Sequence, residues 1–405
     1  FIFKKEVGEW IDPGYIDAYN NLGNLLRARR QFSEAELILR KLIELAPGLA
    51  VAQFNLVNVL LQDDRILIAL KEAQVGVARF PSDPDLHNAL GSIYFLLRRF
   101  DEAMPELEKS ITLKPDYADA YNNLGSVHFE LKHFAKARQL LEQALNISPD
   151  IGDALRCLGH ICRELDNNHI EAIQYIRKAL ELNPRDSVAH ASLLFLLSEY
   201  DVLPPDLLFR EHQRFGELYD DMSPKTWPGR SRDKNKILHI GFVSGDFYNH
   251  AVASFIGPIL KHFCHCPELA LFAYYANDKE DHMTAELKSY FHAWKNVKNM
   301  GDINLMHQIN EDEIDILFDL SSHTTCSRLT MFGRRAAPVQ VSWIGYPGTT
   351  GLKNMDYFIS DVWLTPIVEQ SPYFTEKICN LPSSAPFEPE PNSPPVAELP
   401  ALKNK

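Results

Sequence analysis

No apolar run in this chain approaches 18 residues, so nothing in it reads as a transmembrane helix. Positive charge is also short: 41 lysines and arginines face 54 aspartates and glutamates, for a net charge of −13. That balance argues against a surface for nucleic acid or for an anionic membrane. The six cysteines show no paired spacing, which argues against a disulfide framework and fits a reducing, cytoplasmic setting. Cys264-His265-Cys266, with His262 nearby, lacks the second ligand pair of a zinc site, so no metal is expected. The chain opens Phe-Ile-Phe-Lys-Lys, without Met and without a signal-peptide layout, and is expected to be a fragment of something longer. Its 405 residues leave room for two or three domains.

What is present is periodic. Pro47, Pro81, Pro115, Pro149 and Pro184 are separated by 34, 34, 34 and 35 residues. Gly23, Gly91, Gly125 and Gly159 share one phase, with Val57 in the slot of the second copy; Ala35, Ala69, Ala103, Ala137 and Ala172 follow 12 or 13 residues later. Small residues at these phases let two helices approach closely, and the proline ends the second helix where its missing N–H costs nothing. A 34-residue period of this form is the tetratricopeptide repeat (TPR), a stacking unit that serves as a protein-docking surface. Five repeats are expected over 16–185, after an N-terminal segment (1–15). The fifth carries one extra residue, expected in the Asp166-Asn167-Asn168 turn. Residues 186–222 remain amphipathic but lose the code, as expected of atypical terminal helices that cap the stack or dock it onto the next domain. Residues 223–235 read as a linker.

From residue 236 apolar strands alternate with helices, which predicts a parallel sheet covered on both faces. The expected elements are strand 236–243, a helix from 253, strand 269–276, helix 281–292, strand 293–297, helix 304–312, strand 314–320, helix 328–336, and strands 339–343 and 356–360. Ligands of such sheets bind at the carboxyl ends of strands. That rule selects three loops: Ser244–His250, Ser321–Arg328 and Gly345–Gly351. The first offers a carboxylate, an amide and an imidazole before a helix N-terminus; the second offers His323 and hydroxyls; the third is glycine-rich. No Gly-Lys-Ser/Thr follows the third loop, and no G-x-G-x-x-G follows the first strand.

Three stretches carry a family resemblance: Ile240-Gly241-Phe242-Val243-Ser244-Gly245-Asp246-Phe247-Tyr248-Asn249-His250, Asp315–Thr324 and Ala337–Thr349. Joined to repeats of the form Ala-Tyr-x-Asn-Leu-Gly (Ala18–Gly23, Ala120–Gly125), they resemble the protein O-linked N-acetylglucosamine transferase family. The plant-type protein O-fucosyltransferases share this architecture. The implied fold is an all-α TPR superhelix followed by an α/β Rossmann-like lobe over 236–382, the N-terminal half of a GT-B glycosyltransferase. The second, donor-binding lobe of that fold is not expected within residues 1–405, and residues 383–405 are expected to form a Pro-rich connector. One departure stands out: Ser322 occupies a position the family usually gives to glycine, which strains the loop if φ there is positive.

The resemblance implies inverting transfer of N-acetylglucosamine from UDP-GlcNAc to Ser or Thr of acceptor proteins, with no metal and no other cofactor. His250 would act at the reaction centre, either accepting the hydroxyl proton or positioning the sugar and acceptor. His323, Thr324, Gly345, Tyr346, Pro347, Gly348 and Thr349 would line the donor-sugar cleft. Asn21, Asn55 and Asn123 would grip the acceptor backbone from the repeat groove, a ladder interrupted by Ala89 and Cys157. Two alternatives are a repeat scaffold with a non-catalytic half-domain and an O-fucosyltransferase using GDP-fucose.

Overall fold

The computed structural model describes residues 15–199, 203–223, 225–227, 233 and 235–386. Apart from Tyr15 and residues 383–386, the expected N-terminal segment and Pro-rich connector lie outside the described residues, as does part of the expected linker. Two compact units divide the chain between Pro184 and Arg185.

Among the described residues the first unit contains five helix pairs: α1 (Ile16–Ala28) with α2 (Phe32–Leu45), α3 (Ala50–Gln62) with α4 (Ile66–Arg79), α5 (Pro84–Leu96) with α6 (Phe100–Leu113), α7 (Ala118–Glu130) with α8 (Phe134–Ile147), and α9 (Gly152–Asp166) with α10 (His169–Leu182). In the first four pairs the turn contains one left-handed residue: Arg30, Asp64, Arg98 or Lys132, with φ of 57–60°. The next N–H then reaches the carbonyl five residues back, as in Gln31 to Leu26 O (2.9 Å) and His133 to His128 O (2.8 Å), closing the helix end. In the fifth pair α9 runs 15 residues rather than 13. Asn167 takes the left-handed position and Asn168 N reaches six residues back to Cys162 O. The extra residue is absorbed at the turn where the sequence placed it.

The small phase works by volume. A Cβ added to Gly23, Gly91, Gly125 or Gly159 would sit 2.5–2.9 Å from carbons of Leu39, Leu107, Leu141 or Ile176 in the partner helix. In the second repeat the same phase pairs Val57 with Ala73, both fully buried. Bulk has changed sides, which keeps the pair filled.

The second unit opens with α11 (Ser187–Glu199) and α12 (Pro205–Tyr219). It continues through β1 (Leu238–Ser244), α13 (Ala251–Phe263), β2 (Leu269–Tyr275), α14 (His282–Lys288), β3 (Ala293–Asn296), α15 (Asp302–Glu311), β4 (Ile316–Asp319), α16 (Leu329–Phe332), β5 (Val339–Trp343), β6 (Tyr357–Asp361), α17 (Ile367–Gln370) and β7 (Lys377–Leu381). All neighbouring strands are parallel, in the order β3-β2-β1-β4-β5-β6-β7. The strand order reverses between β1 and β4, which is where ligands bind in doubly wound sheets. Alternation along the strands sorts side chains to two cores. Ile240, Phe242, Leu271 and Ala273 pack with α13 and α14, whereas Val243, Phe272, Tyr274 and Leu317 pack with α15 and α16.

That second core also contains Leu194 of α11 and Phe215 of α12. Of the two roles expected for these helices, capping the repeats or docking on the next domain, their packing matches the second: they fall in the same compact unit as the sheet. The helices expected over 281–292 and 328–336 are shorter, ending at Lys288 and Phe332. β7 was not anticipated: it is an edge strand with a single buried residue, Ile378, and so carries almost no apolar signal.

Candidate active site at the carboxyl edge of the sheet

The three loops chosen from sequence follow β1, β4 and β5, which are adjacent strands, so they meet along one edge. Contacts join them directly. Gly245 N–H donates to Ser321 Oγ (3.3 Å), and His323 Nε2–H donates to Thr350 O (2.9 Å). A Cβ on Gly345 would lie 2.3 Å from Leu320 O, so only glycine lets the third loop press against the second.

His250 is exposed and caps α13. Its extended backbone turns the ring back, and Nδ1 accepts the Val252 N–H at 3.3 Å. With that lone pair engaged, the neutral ring carries its proton on Nε2, which makes the outward edge a donor. The loop is held by Asp281, the N-cap of α14, which accepts Asn249 N–H at 2.7 Å. These backbone hydrogen bonds hold the Asp281 carboxyl below its ordinary range. The Lys279 ammonium lies 4.8 Å from the Tyr248 ring centroid, and that ring lies 5.6 Å from the His250 ring. Asp246 beneath them is buried, and burial raises its carboxyl despite the nearby His250 and Lys279.

The second loop is anchored from below. Asp319 is fully buried and accepts the N–H groups of Ser321 and Ser322; burial pushes its carboxyl up to about 6. Ser322 has φ 46°, so the loop does need the left-handed conformation, and its buried Oγ has no partner. His323 lies inside the protein, 1% exposed, packed edge-on to Phe215 and Tyr346. Burial drives it well below the ordinary imidazole range, and Nδ1 is left without a partner. Thr324 is half-buried and donates to Ser321 O (2.6 Å).

The third loop is split between inside and outside. Tyr346 is buried against α11 and α12. His212 donates from Nδ1 to Leu208 O (2.9 Å), which leaves Nε2 to accept the Tyr346 hydroxyl (2.9 Å); that hydroxyl also lies 3.2 Å from Leu194 O. Thr349 is buried and donates to Glu376 Oε2 (2.6 Å). Pro347 is exposed and Gly348 partly so. His250, Pro347, Gly348, Gly345 and Thr324 therefore keep surface a ligand can touch, whereas the side chains of His323, Tyr346 and Thr349 are engaged internally. Glu376 and His212 went unnoticed in the sequence, where each sits in a polar stretch typical of a surface.

In the repeats, Asn55 Nδ2 donates to Asn20 Oδ1 (2.8 Å) and Asn123 Nδ2 to Asn88 Oδ1 (2.9 Å). The asparagines thus pair across successive first helices, while Asn21 is exposed. Phe54 and Ala89 fill the equivalent pair with apolar groups. At Asn122 and Cys157 only one partner is replaced, and the buried Asn122 Oδ1 has no hydrogen bond. Losing one partner leaves an unmet buried group, whereas replacing both does not.

Among the described residues, no three His, Cys, Asp or Glu side chains cluster to hold a metal, and no helix is long and apolar enough to cross a membrane.

Residues 221–387, which contain all three loops, match glycosyl transferase family 41, and tetratricopeptide repeats match over 16–46, 84–150 and 158–186. The solved structure of a mutant Thermobaculum terrenum O-GlcNAc transferase superposes with a TM-score of 0.69 at 26% identity, over 76% of this chain and 59% of that one. Residues 221–387 thus belong to glycosyl transferase family 41, and the chain as a whole resembles the protein O-GlcNAc transferases. It is 30% identical over 239 residues to the probable UDP-N-acetylglucosamine–peptide N-acetylglucosaminyltransferase SPINDLY of Oryza sativa subsp. japonica, covering 57% of this chain and 26% of that relative. It is 32% identical over 170 residues to the probable enzyme of the same class, SEC, of Arabidopsis thaliana, covering 42% and 17%. The chain therefore spans about a quarter or less of the length of these relatives. Within this O-GlcNAc transferase-like framework, the family match contains every loop residue discussed above.

Proposed function

We propose that this chain is the acceptor-docking and first catalytic part of an enzyme that transfers N-acetylglucosamine from UDP-GlcNAc to Ser or Thr hydroxyls of proteins. The observation that carries this reading is the carboxyl edge of β1, β4 and β5. There an exposed imidazole, held by a helix N-terminus, stands on the same edge as the accessible Pro347-Gly348 turn. An imidazole whose inner nitrogen caps the helix offers Nε2–H outward. His250 thus acts as a donor that orients the sugar or the acceptor oxygen, which favours positioning over proton abstraction. Gly345, Pro347 and Gly348 contact the sugar through the backbone, with Thr324 beside them. His323, Tyr346 and Thr349 serve this edge from inside by fixing the loops. The repeat face built on Asn21, Asn55 and Asn123 receives the acceptor protein.

The test is transfer of labelled N-acetylglucosamine by the natural protein purified from its source. His250→Ala should lower turnover by about 100-fold or more, the order expected for loss of a reaction-centre group. Near-normal turnover in the variant removes His250 from the reaction. A wild-type protein that turns over GDP-fucose and not UDP-GlcNAc overturns the donor assignment.

A further inference from the structure

Glu376 stands immediately before the edge strand β7 and is 5% exposed. Both carboxylate oxygens serve the third loop. Oε2 accepts the Thr349 hydroxyl (2.6 Å), while Oε1 accepts Thr350 N–H (2.7 Å) and the Thr350 hydroxyl. Thr349 Oγ1 is itself a hub: it accepts Gly351 N–H (3.1 Å) and Thr375 N–H (3.2 Å) and bonds the Thr375 hydroxyl (3.0 Å). No lysine or arginine pairs with Glu376 among the described residues. Its bonds to the rest of the chain all come from neutral donors of Thr349 and Thr350.

That arrangement is costly for a fold alone. A carboxylate taken out of water without a cation costs stability, and a neutral side chain of similar shape avoids the cost. What the group provides is geometry, because a carboxyl group that accepts at both oxygens in its plane fixes several donors at once. The loop is also pinned elsewhere: Gly345 presses on Leu320 O, and Tyr346 is bound to α12 through His212. At its far end Gly351 has φ +78°, and a Cβ there would lie 2.0 Å from His212 O, so that corner has no room to shift. Between these anchors only Pro347 and Gly348 remain accessible.

We propose that Glu376 is a positioning residue for the Pro347-Gly348 segment, so that the ligand contacts of the glycine-rich loop are set by a carboxylate on the edge strand. The ligand class is the sugar of a nucleotide sugar, and this part rests on the transfer reading above. Loss of Glu376 frees the loop without opening the sheet, because β5 keeps its pairing with β4 and β6.

Hydrogen exchange and steady-state kinetics on the natural protein test this together. In Glu376→Ala, amides of residues 348–351 should exchange about tenfold faster or more, the equivalent of about one lost hydrogen bond, while Ile240–Val243 of β1 keep their wild-type rates. The KM for UDP-GlcNAc should rise about tenfold, with little change in turnover per folded molecule. A merely structural role would reduce the active fraction and leave KM where it is. Glu376→Gln, which keeps one acceptor oxygen and turns an NH2 donor toward the other hydroxyl, should recover only part of both effects. If Glu376→Ala does not fold, Thr349→Val removes the hub hydroxyl and should give the same loop-specific exchange. Unchanged exchange over 348–351 overturns the lock, and faster exchange with an unmoved KM overturns its role toward the sugar. A wild-type protein inert toward UDP-GlcNAc sinks the transfer reading, and the exchange result still decides the lock.

Discussion

Ser322→Gly should make this protein more stable, against the usual effect of placing glycine in a loop. Two features of the structure oppose serine at this position. Its φ of 46° is left-handed, which costs a residue with a Cβ about 1–2 kcal/mol. Its hydroxyl is buried with no hydrogen-bond partner, a penalty of about 1–3 kcal/mol. Against these, glycine gains freedom in the unfolded chain worth about 0.4–1 kcal/mol. The balance is a gain of about 2 kcal/mol, or roughly 4–8 °C in Tm for a unit of this size. Ser322→Ala separates the two causes, because it removes the hydroxyl and keeps the strained backbone; it should recover about half the gain. Urea unfolding followed by tryptophan fluorescence is a suitable assay, since Trp227, Trp294, Trp343 and Trp363 all lie in the second unit. A Ser322→Gly midpoint at or below wild type would refute the reasoning, as would an alanine variant that matches the glycine one.

Two further outcomes follow from the packing and the buried histidines. Val57→Gly should cost about 3 kcal/mol through an unfilled core and a helical glycine, and Ala73→Leu about 1–3 kcal/mol through overpacking. The double variant rebuilds the Gly/Leu pairing of the neighbouring repeats. It should therefore be far more stable than the sum, with a coupling of at least about 2 kcal/mol by far-UV circular dichroism; additive losses would refute the volume exchange. His212 is held neutral by burial, which lowers its pKa to about 4. The unfolded chain, with an imidazole near its ordinary value, binds the extra proton first as pH falls. Stability is thus full above about pH 6.5 and lost down to about pH 4, by about 3 kcal/mol. Asp319, raised to about 6, works in the opposite sense over the same window, so the informative quantity is a difference. His212→Gln should lose less stability than wild type between pH 7 and 4.5, and equal losses would remove His212 as a cause.

Much of the fold was open to reading from the chain because the relevant interactions are local. The five repeats follow from small and large residues at fixed phases, and a change such as Val57 with Ala73 is visible once both phases are compared. β5 was expected at 339–343 and forms there, since Val-Gln-Val-Ser-Trp alternates cleanly and is bounded by Pro338 and Gly345. The edge strand β7 was missed because its single buried residue leaves no alternation to detect. The three loops were located by the carboxyl-end rule, which needs only the order of strands and helices.

The fate of individual site residues was a different matter. His323, Tyr346 and Thr349 look alike in sequence, as polar members of conspicuous loops, yet all three are buried and bonded inward, while His250 stays exposed. The groups that bury and bind them lie far along the chain: Tyr346 meets His212 134 residues away, and Thr349 meets Glu376 27 residues away. Periodicity, repeat number and sheet type were determined by the sequence alone, because helical phase and strand alternation depend on near neighbours. Which polar groups face a ligand was decided only by tertiary structure, because desolvation and hydrogen-bond partners come from whatever element the fold lays against them.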